Sequence, residues 1–354
     1  MRRAVSNLMK VKAERSKQSR RARPGIPSIW TALILLAGAT GSGSAQNCQV
    51  SSDLDDAVRT AITAAGRRYF DMAAKGDTTS LRQNAVASLS SDFSGVEATI
   101  KDHQPDLASA QATIKSAFLL EAEGSAPLPH AEFYCGVFGK SGQTANSAVF
   151  SLDNLPPGQY GVIIFEANSP KVRANFSLIL QEMGADWKLG GLYLKSTQAA
   201  GHDSDWFIAR ARDYKAKGQA HNAWFFYVQA RGLISPLPFM STSATDKLYD
   251  ESQGAQPADI PANGKIVDIA SAAATYKLTA IFPEAVGDDL DLIVKYQAAD
   301  ASNTNQAYQS NVAVMKALVA KYPEVREAFA GVVARAVDPG GRDYGTLLAM
   351  KDIK

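Results

Sequence analysis

Three clusters of side chains have the types and spacing for chemistry. His130, Glu132 and Tyr134 alternate with Ala131 and Phe133, and residues two apart on a strand share a face. An imidazole, a carboxyl and a phenol in one row form a general acid/base cluster where that face lines a pocket. On a half-buried strand the same alternation gives an ordinary solvent-facing row. The second cluster, Gly201-His202-Asp203-Ser204-Asp205-Trp206, is the densest polar stretch in the chain. His202, Asp203 and Asp205 together offer imidazole and carboxylate ligands to a divalent metal. Read as structure, Asp203 or Ser204 caps a helix, Asp205 sits in its first turn and Trp206 packs down. The third cluster is Trp224-Phe225-Phe226-Tyr227. Trp224 and Tyr227 offer an aromatic platform to a ligand, or else fill the core of a domain junction. His103 falls in a polar loop. HExxH, CxxC, GxGxxG, P-loop and GxSxG signatures are absent, so no strong local motif assigns an activity.

Elements must hold these residues in place. Helical texture runs from Ser51 to Leu120. Asp53 caps a helix bearing Leu54, Val58, Ile62, Ala65, Tyr69 and Met72 at spacings of three and four. Lys75-Gly76-Asp77 closes it, a short helix follows near 79–89, and Asp106 opens a third with Leu107, Ile114 and Phe118 on one side. From about Pro129 the texture changes to strands, at 132–138, 148–152, 160–166, 173–181 and 187–195. This pattern predicts an α+β module over 46–200, with helices on the concave face of one curved antiparallel sheet. Residues 201–235 read as a helical hairpin. Residues 236–264, rich in Pro, Ser and Ala, read as a connector with a helical turn at 245–252. The last segment, 265–354, predicts a small ββαββ-like α+β domain: strands at 276–282 and 290–296, a helix at 305–320, and strands at 332–337 and 344–350. Asp300-Ala301-Ser302-Asn303-Thr304 reads as the cap of that helix, with Val312, Met315, Leu318 and Val319 facing inward.

The chain has 354 residues, of which 46% are hydrophobic and 20% charged, which excludes a disordered, collagen-like or multi-span membrane protein. Residues 1–23 carry nine basic side chains and one acid, Glu14. An apolar run from Ile29 to Ala37 follows, then small residues ending Gly43-Ser44-Ala45. This is the layout of a secretory signal peptide over 1–45, cleaved before Gln46, and the run is too short to span a membrane. Export would place Cys48 and Cys135, the only two cysteines, where they can pair. Nine of the 37 basic residues and one of the 35 acidic ones precede Gln46, so 46–354 holds 28 bases and 34 acids, a net of −6. Its basic residues are scattered singly, which argues against nucleic acid as a partner.

Over roughly 53–196 the pattern resembles the nuclear transport factor 2-like, cystatin-like cone superfamily. The likeness rests on the leading amphipathic helix before Lys75-Gly76-Asp77 and on a closing hairpin, Phe176 to Gln181 then Trp187-Lys188-Leu189. Tyr214, Gly218, Ala223, Tyr227 and Ala230 are similar to one tetratricopeptide-like repeat, present as a single copy. The first resemblance implies a cone that either binds a ligand or partner, or carries an acid/base pair or Tyr inside. No catalytic motif matches residue by residue. The expectation is therefore an exported protein of a bacterial periplasm or exterior, binding a small molecule or an envelope protein. It would use no cofactor, bind no nucleic acid and keep no stable membrane anchor. The alternatives are a cone enzyme using His130, Glu132 and Tyr134, and a scaffold acting through the hairpin.

Overall fold

The computed structural model describes residues 46–137, 143–170, 172–272 and 274–354. The signal segment expected over 1–45, and Phe138 at the end of one expected strand, lie outside them. After β1 (Asn47–Val50), the apolar positions spaced by threes and fours form α1 (Asp56–Ala74). The helix starts at Asp56 rather than Asp53, and it buries Ile62, Ala65, Gly66, Tyr69, Phe70 and Ala73. Gly76, at φ +70°, supplies the left-handed turn that ends it. Asp77 then caps α2 (Thr78–Gln83) by accepting from the Ser80 amide at 2.9 Å. Two more helices follow, α3 (Ala87–Ser91) and α4 (Ser94–Ala108), the latter carrying His103.

The helix expected from Asp106 is instead a strand, β2 (Gln111–Ala122). Its inner half, Ala117 to Leu120, is buried on both faces, so its apolar residues do not alternate. Without alternation, periodicity cannot separate a buried strand from a buried helix. The remaining strands of this half are β3 (Leu128–Cys135), β4 (Ala148–Leu155), β5 (Gly158–Asn168), β6 (Arg173–Met183) and β7 (Asp186–Ser196). The five strands expected in one sheet are divided between two. An antiparallel sheet of order β1-β2-β5-β6-β7 takes three of them, while β3 and β4 lie in a separate three-stranded sheet. Register shifts at Ile114/Ser116 and Ile179/Leu180 bend the larger sheet. One face of that sheet packs against α1 and α4 through Phe165, Phe176, Leu178 and Leu180. Its other face packs against β3 and β4 through Phe118, Leu120, Val162 and Ile164. A disulfide from Cys48 on β1 to Cys135 on β3, with Cα atoms 4.9 Å apart, ties the two sheets together.

Past a two-residue ladder, β8 (Gln198–Ala199) with β9 (His202–Asp203), comes the expected helical hairpin, α5 (Ser204–Ala216) and α6 (Ala220–Ile234). The connector does more than connect. Its β10 (Met240–Thr242) pairs with β4 and completes the three-stranded sheet, and α7 (Ser243–Gln253) extends the expected turn into a helix.

The C-terminal sheet adds β11 (Val267–Ala270) to the expected strands: β12 (Thr275–Val286), β13 (Asp289–Gln297), β14 (Gly331–Val337) and β15 (Asp343–Ala349). They lie in chain order, antiparallel except for β13 and β14, which are parallel. The crossover between that pair is α8 (Thr304–Lys321) followed by α9 (Val325–Ala328). Val314 rather than Val312 joins Met315, Leu318 and Val319 in the buried stripe. One core holds both this sheet and the hairpin, with Phe225, Phe226, Leu292, Val294, Met315 and Phe329 among its members. Hairpin and C-terminal segment thus share a core rather than standing as separate units. The molecule is α+β throughout, and no helix among the described residues is long and apolar enough to cross a membrane.

Candidate functional site: a polar cleft at the end of the large sheet

Residues directly paired in an antiparallel sheet share a face, and the registers of β5, β6 and β7 set two rows side by side. Ile164, Ser177 and Tyr193 form one; Glu166, Asn175 and Lys195 form the next. Further along the same face the residues are apolar and packed on the smaller sheet. The face therefore changes from oily to polar where the smaller sheet stops covering it. A cleft of about 910 Å³ opens there, lined by Lys115, Glu166, Arg173 and Asn175 from the sheet. Asp203, Ser204 and Asp205 from the start of α5, with Leu233 and Ile234 from the end of α6, form its opposite wall.

The cleft is marked by polar atoms that the fold leaves without partners. Asn175 is only 3% exposed and its Oδ1 accepts nothing; Ser177 Oγ, fully buried one row further in, has no partner either. Ser204 Oγ across the cleft is the third. Buried polar groups are almost always bonded, so each such atom calls for a reason. Asn311, buried in the C-terminal core, meets that rule: it accepts from the Tyr296 hydroxyl at 2.8 Å and donates to Thr346 Oγ1 at 2.9 Å. Of the four orphaned side-chain atoms among the described residues, those of Asn175 and Ser204 line the cleft, that of Ser177 lies one row further in between Ile164 and Tyr193, and the fourth is Asn222 Oδ1.

The charges are arranged unevenly. Lys115, the extra residue at the β2 bulge, reaches Glu166 at 2.7 Å. Lys195 makes no ion pair with any described residue, although burial holds its ammonium below the usual lysine range. Tyr193 beside it, edge-on to Phe239 at 5.5 Å, is pushed up by burial. This half-buried cation, with no ion-pair partner among the described residues, lies on the strand next to the buried Asn175 carbonyl oxygen that has no partner.

The residues singled out from the sequence fall elsewhere. His130, Glu132 and Tyr134 do share a face, and they form a bonded row: His130 Nδ1 to Asp153 at 2.8 Å, and the Tyr134 hydroxyl donating to Glu132 at 2.6 Å. Asp153 raises the histidine, and the tyrosine hydroxyl holds Glu132 low. That face lies on the outside, with the His130 side chain 58% exposed, while Ala131, Phe133 and Cys135 face inward. It lines no pocket. Asp203 caps α5 by accepting from the Trp206 amide at 3.0 Å, Asp205 occupies the first turn, and His202 stacks on Trp206 at 3.6 Å. No group of three metal-ligating side chains occurs among the described residues. Trp224 and Tyr227 are buried, so the aromatic platform is replaced by a packed junction. The Tyr227 hydroxyl donates to Glu251, which also accepts both arms of Arg212 at 2.7 and 2.8 Å; that fork lowers Glu251 to about 2.

Two further groups were not picked out from the sequence. His221, on α6, meets Glu324 at 2.5 Å through Nδ1 and Asp259 at 2.9 Å through Nε2, and packs on Tyr322. Its partners are 103 and 38 residues away, so no local spacing signals them. Asn175, Ser177 and Lys195 sit on what reads as the solvent side of their strands. The one available signal is an Asn and a Ser among otherwise apolar residues in Phe176-to-Leu180 and its flanks.

No family model matches the chain, and no curated protein or solved structure matches it.

Proposed function

We propose that this is an exported binding protein that holds a small polar ligand in the cleft between the end of the large sheet and the start of α5. The observation that carries the reading is the pair of buried, unpartnered atoms of Asn175 and Ser204 on opposite walls of one opening. Leaving such atoms unbonded costs about 1–3 kcal/mol each, and a bound ligand or ordered water recovers that cost. The volume of the cleft also suits a small molecule. Export, with removal of 1–45 and release to the periplasm or exterior, is supported by the Cys48–Cys135 disulfide, since such bonds persist in oxidising compartments. The likeness to nuclear transport factor 2-like cones stays an analogy, carried by α1, Gly76 and the β6–β7 hairpin.

Thermal denaturation of the purified protein against a panel of small polar metabolites tests this. A true ligand raises the melting temperature of the wild type, because it binds only the folded state. It does so less for Asn175→Leu, which removes one buried polar group, and for Ser204→Ala on the opposite wall. A ligand that stabilises all three proteins equally binds elsewhere, and the reading fails.

A further inference from the structure

We infer that the outer face of the C-terminal sheet docks a second copy of this chain, the two sheets stacking face to face about a two-fold axis. This surface is remote in kind from the cleft and does not depend on it. α6 and α8 pack on one face of the sheet, where Leu292, Val294 and Tyr296 join the core. The registers define what the other face carries. Phe282, Ile293, Val333 and Leu347 are paired in turn across β12, β13, β14 and β15, so they form one apolar row over four strands. None of these residues joins an apolar core among the described residues. Ile293, in the middle, is 6% exposed behind its row neighbours, while Leu347 at the edge is 50% exposed. Parallel sheets are almost always covered on both faces, and β13 and β14 pair in parallel.

Charge is sorted to either side of that row. Two residues along the strands one way stand Lys295 and Arg335, paired across β13 and β14; two residues the other way stand Glu284 and Asp291, paired across β12 and β13. Arg335 is held by Asp343. Lys295 makes no ion pair with a described residue, its ammonium lying 5.6 Å from the centre of the Phe282 ring. Glu284 and Asp291 likewise have no cation in ion-pair range among the described residues. Asp291 is 3% exposed, and burial, with Asp289 nearby, raises its carboxyl above the usual range. The face is therefore self-complementary, as an isologous contact requires. A two-fold axis along the apolar row lays that row on its own copy and reverses the strand direction. Each Lys295 then stands over Asp291 of the second copy, beside its Glu284. An axis along the strands would instead set lysine over lysine. Stacked sheets lie about 10 Å apart, a gap that one lysine and one aspartate side chain can close.

Sedimentation of the purified protein over a range of concentrations tests this, and is expected to show a reversible monomer–dimer equilibrium. Leu347→Glu, at an exposed position, should weaken dimerisation by about tenfold or more and leave the melting temperature of the dilute monomer unchanged. Tyr249→Glu, equally exposed on α7, should leave dimerisation as it is. In an equal mixture of light and heavy-isotope protein, a zero-length carbodiimide bond from Lys295 to Asp291 or Glu284 should join one light and one heavy chain. A protein that stays monomeric at every concentration overturns the inference and leaves the face to a different partner. So does a dimer that Leu347→Glu leaves intact, or one in which that bond never joins the two labels.

Discussion

Lys195 shows how one side chain can be held at a cost to stability. Burial on β7 disfavours its charged form, and no described residue compensates. In the absence of ligand, Lys195→Met is therefore expected to raise the melting temperature at neutral pH by about 2 °C. The pH dependence follows from the direction of the shift. A lysine whose folded value is depressed holds fewer protons folded than unfolded, so the wild type gains stability as pH rises through the folded value. The gain is complete above the unfolded value near ~10.4. The advantage of Lys195→Met should thus shrink between neutral pH and pH ~10. Melting curves across that range check it, and a constant difference would place the ammonium in water.

At the scale of elements, the disulfide decides how the two N-terminal sheets stay together. β1 is only four residues long, yet it is the edge of the larger sheet and contacts β3 of the smaller one. The bond closes a loop between residues 87 positions apart. Restricting the unfolded chain by a loop of that size is worth about 4.6 kcal/mol in the chain-entropy account. Cys48→Ala should lower the stability in urea by that order and steepen the denaturant dependence, since the released chain exposes more surface when unfolded. A loss below about 1 kcal/mol would mean that β2, β5 and Phe133 hold β1 in place without the bond.

For the whole molecule, the hairpin is the joint. α6 contributes Phe225 and Phe226 to the core of the C-terminal sheet, each 6.0 Å from Phe329. His221 on the same helix bridges Asp259 in the connector and Glu324 before α9. At the other end of α6, Leu233 and Ile234 wall the cleft. One helix therefore reaches from the C-terminal core to the candidate site, within a single compact unit, Ser44–Lys354. Phe225→Ala is expected to cost about 3–5 kcal/mol. Hydrogen exchange should then show β13 and β14 losing protection together with α6. Protection lost in α6 alone would make the hairpin an independent unit.

Local periodicity was enough for most of the elements. The stripe of α1, the Asp203 cap of α5, the hairpin and the Pro339-Gly340-Gly341 turn between β14 and β15 can all be read in order from neighbouring residues. So can the alternation that sets His130, Glu132 and Tyr134 on one face. With only two cysteines, the partners of any bridge were fixed, while the bond itself is shown by the structure. What neighbours could not settle was which side of each strand meets another layer. β2 read as helix because both its faces are buried. β3 and β4 read as members of one sheet with β5, because the alternation of a strand does not name its partner. The cleft depends on that choice: Asn175, Ser177 and Lys195 look like a solvent face until a second sheet and a helix start close over it. Hydrophobic period is a property of a segment and survives in the sequence. Burial of a polar group depends on segments brought together from across the chain, and only the tertiary structure decides it.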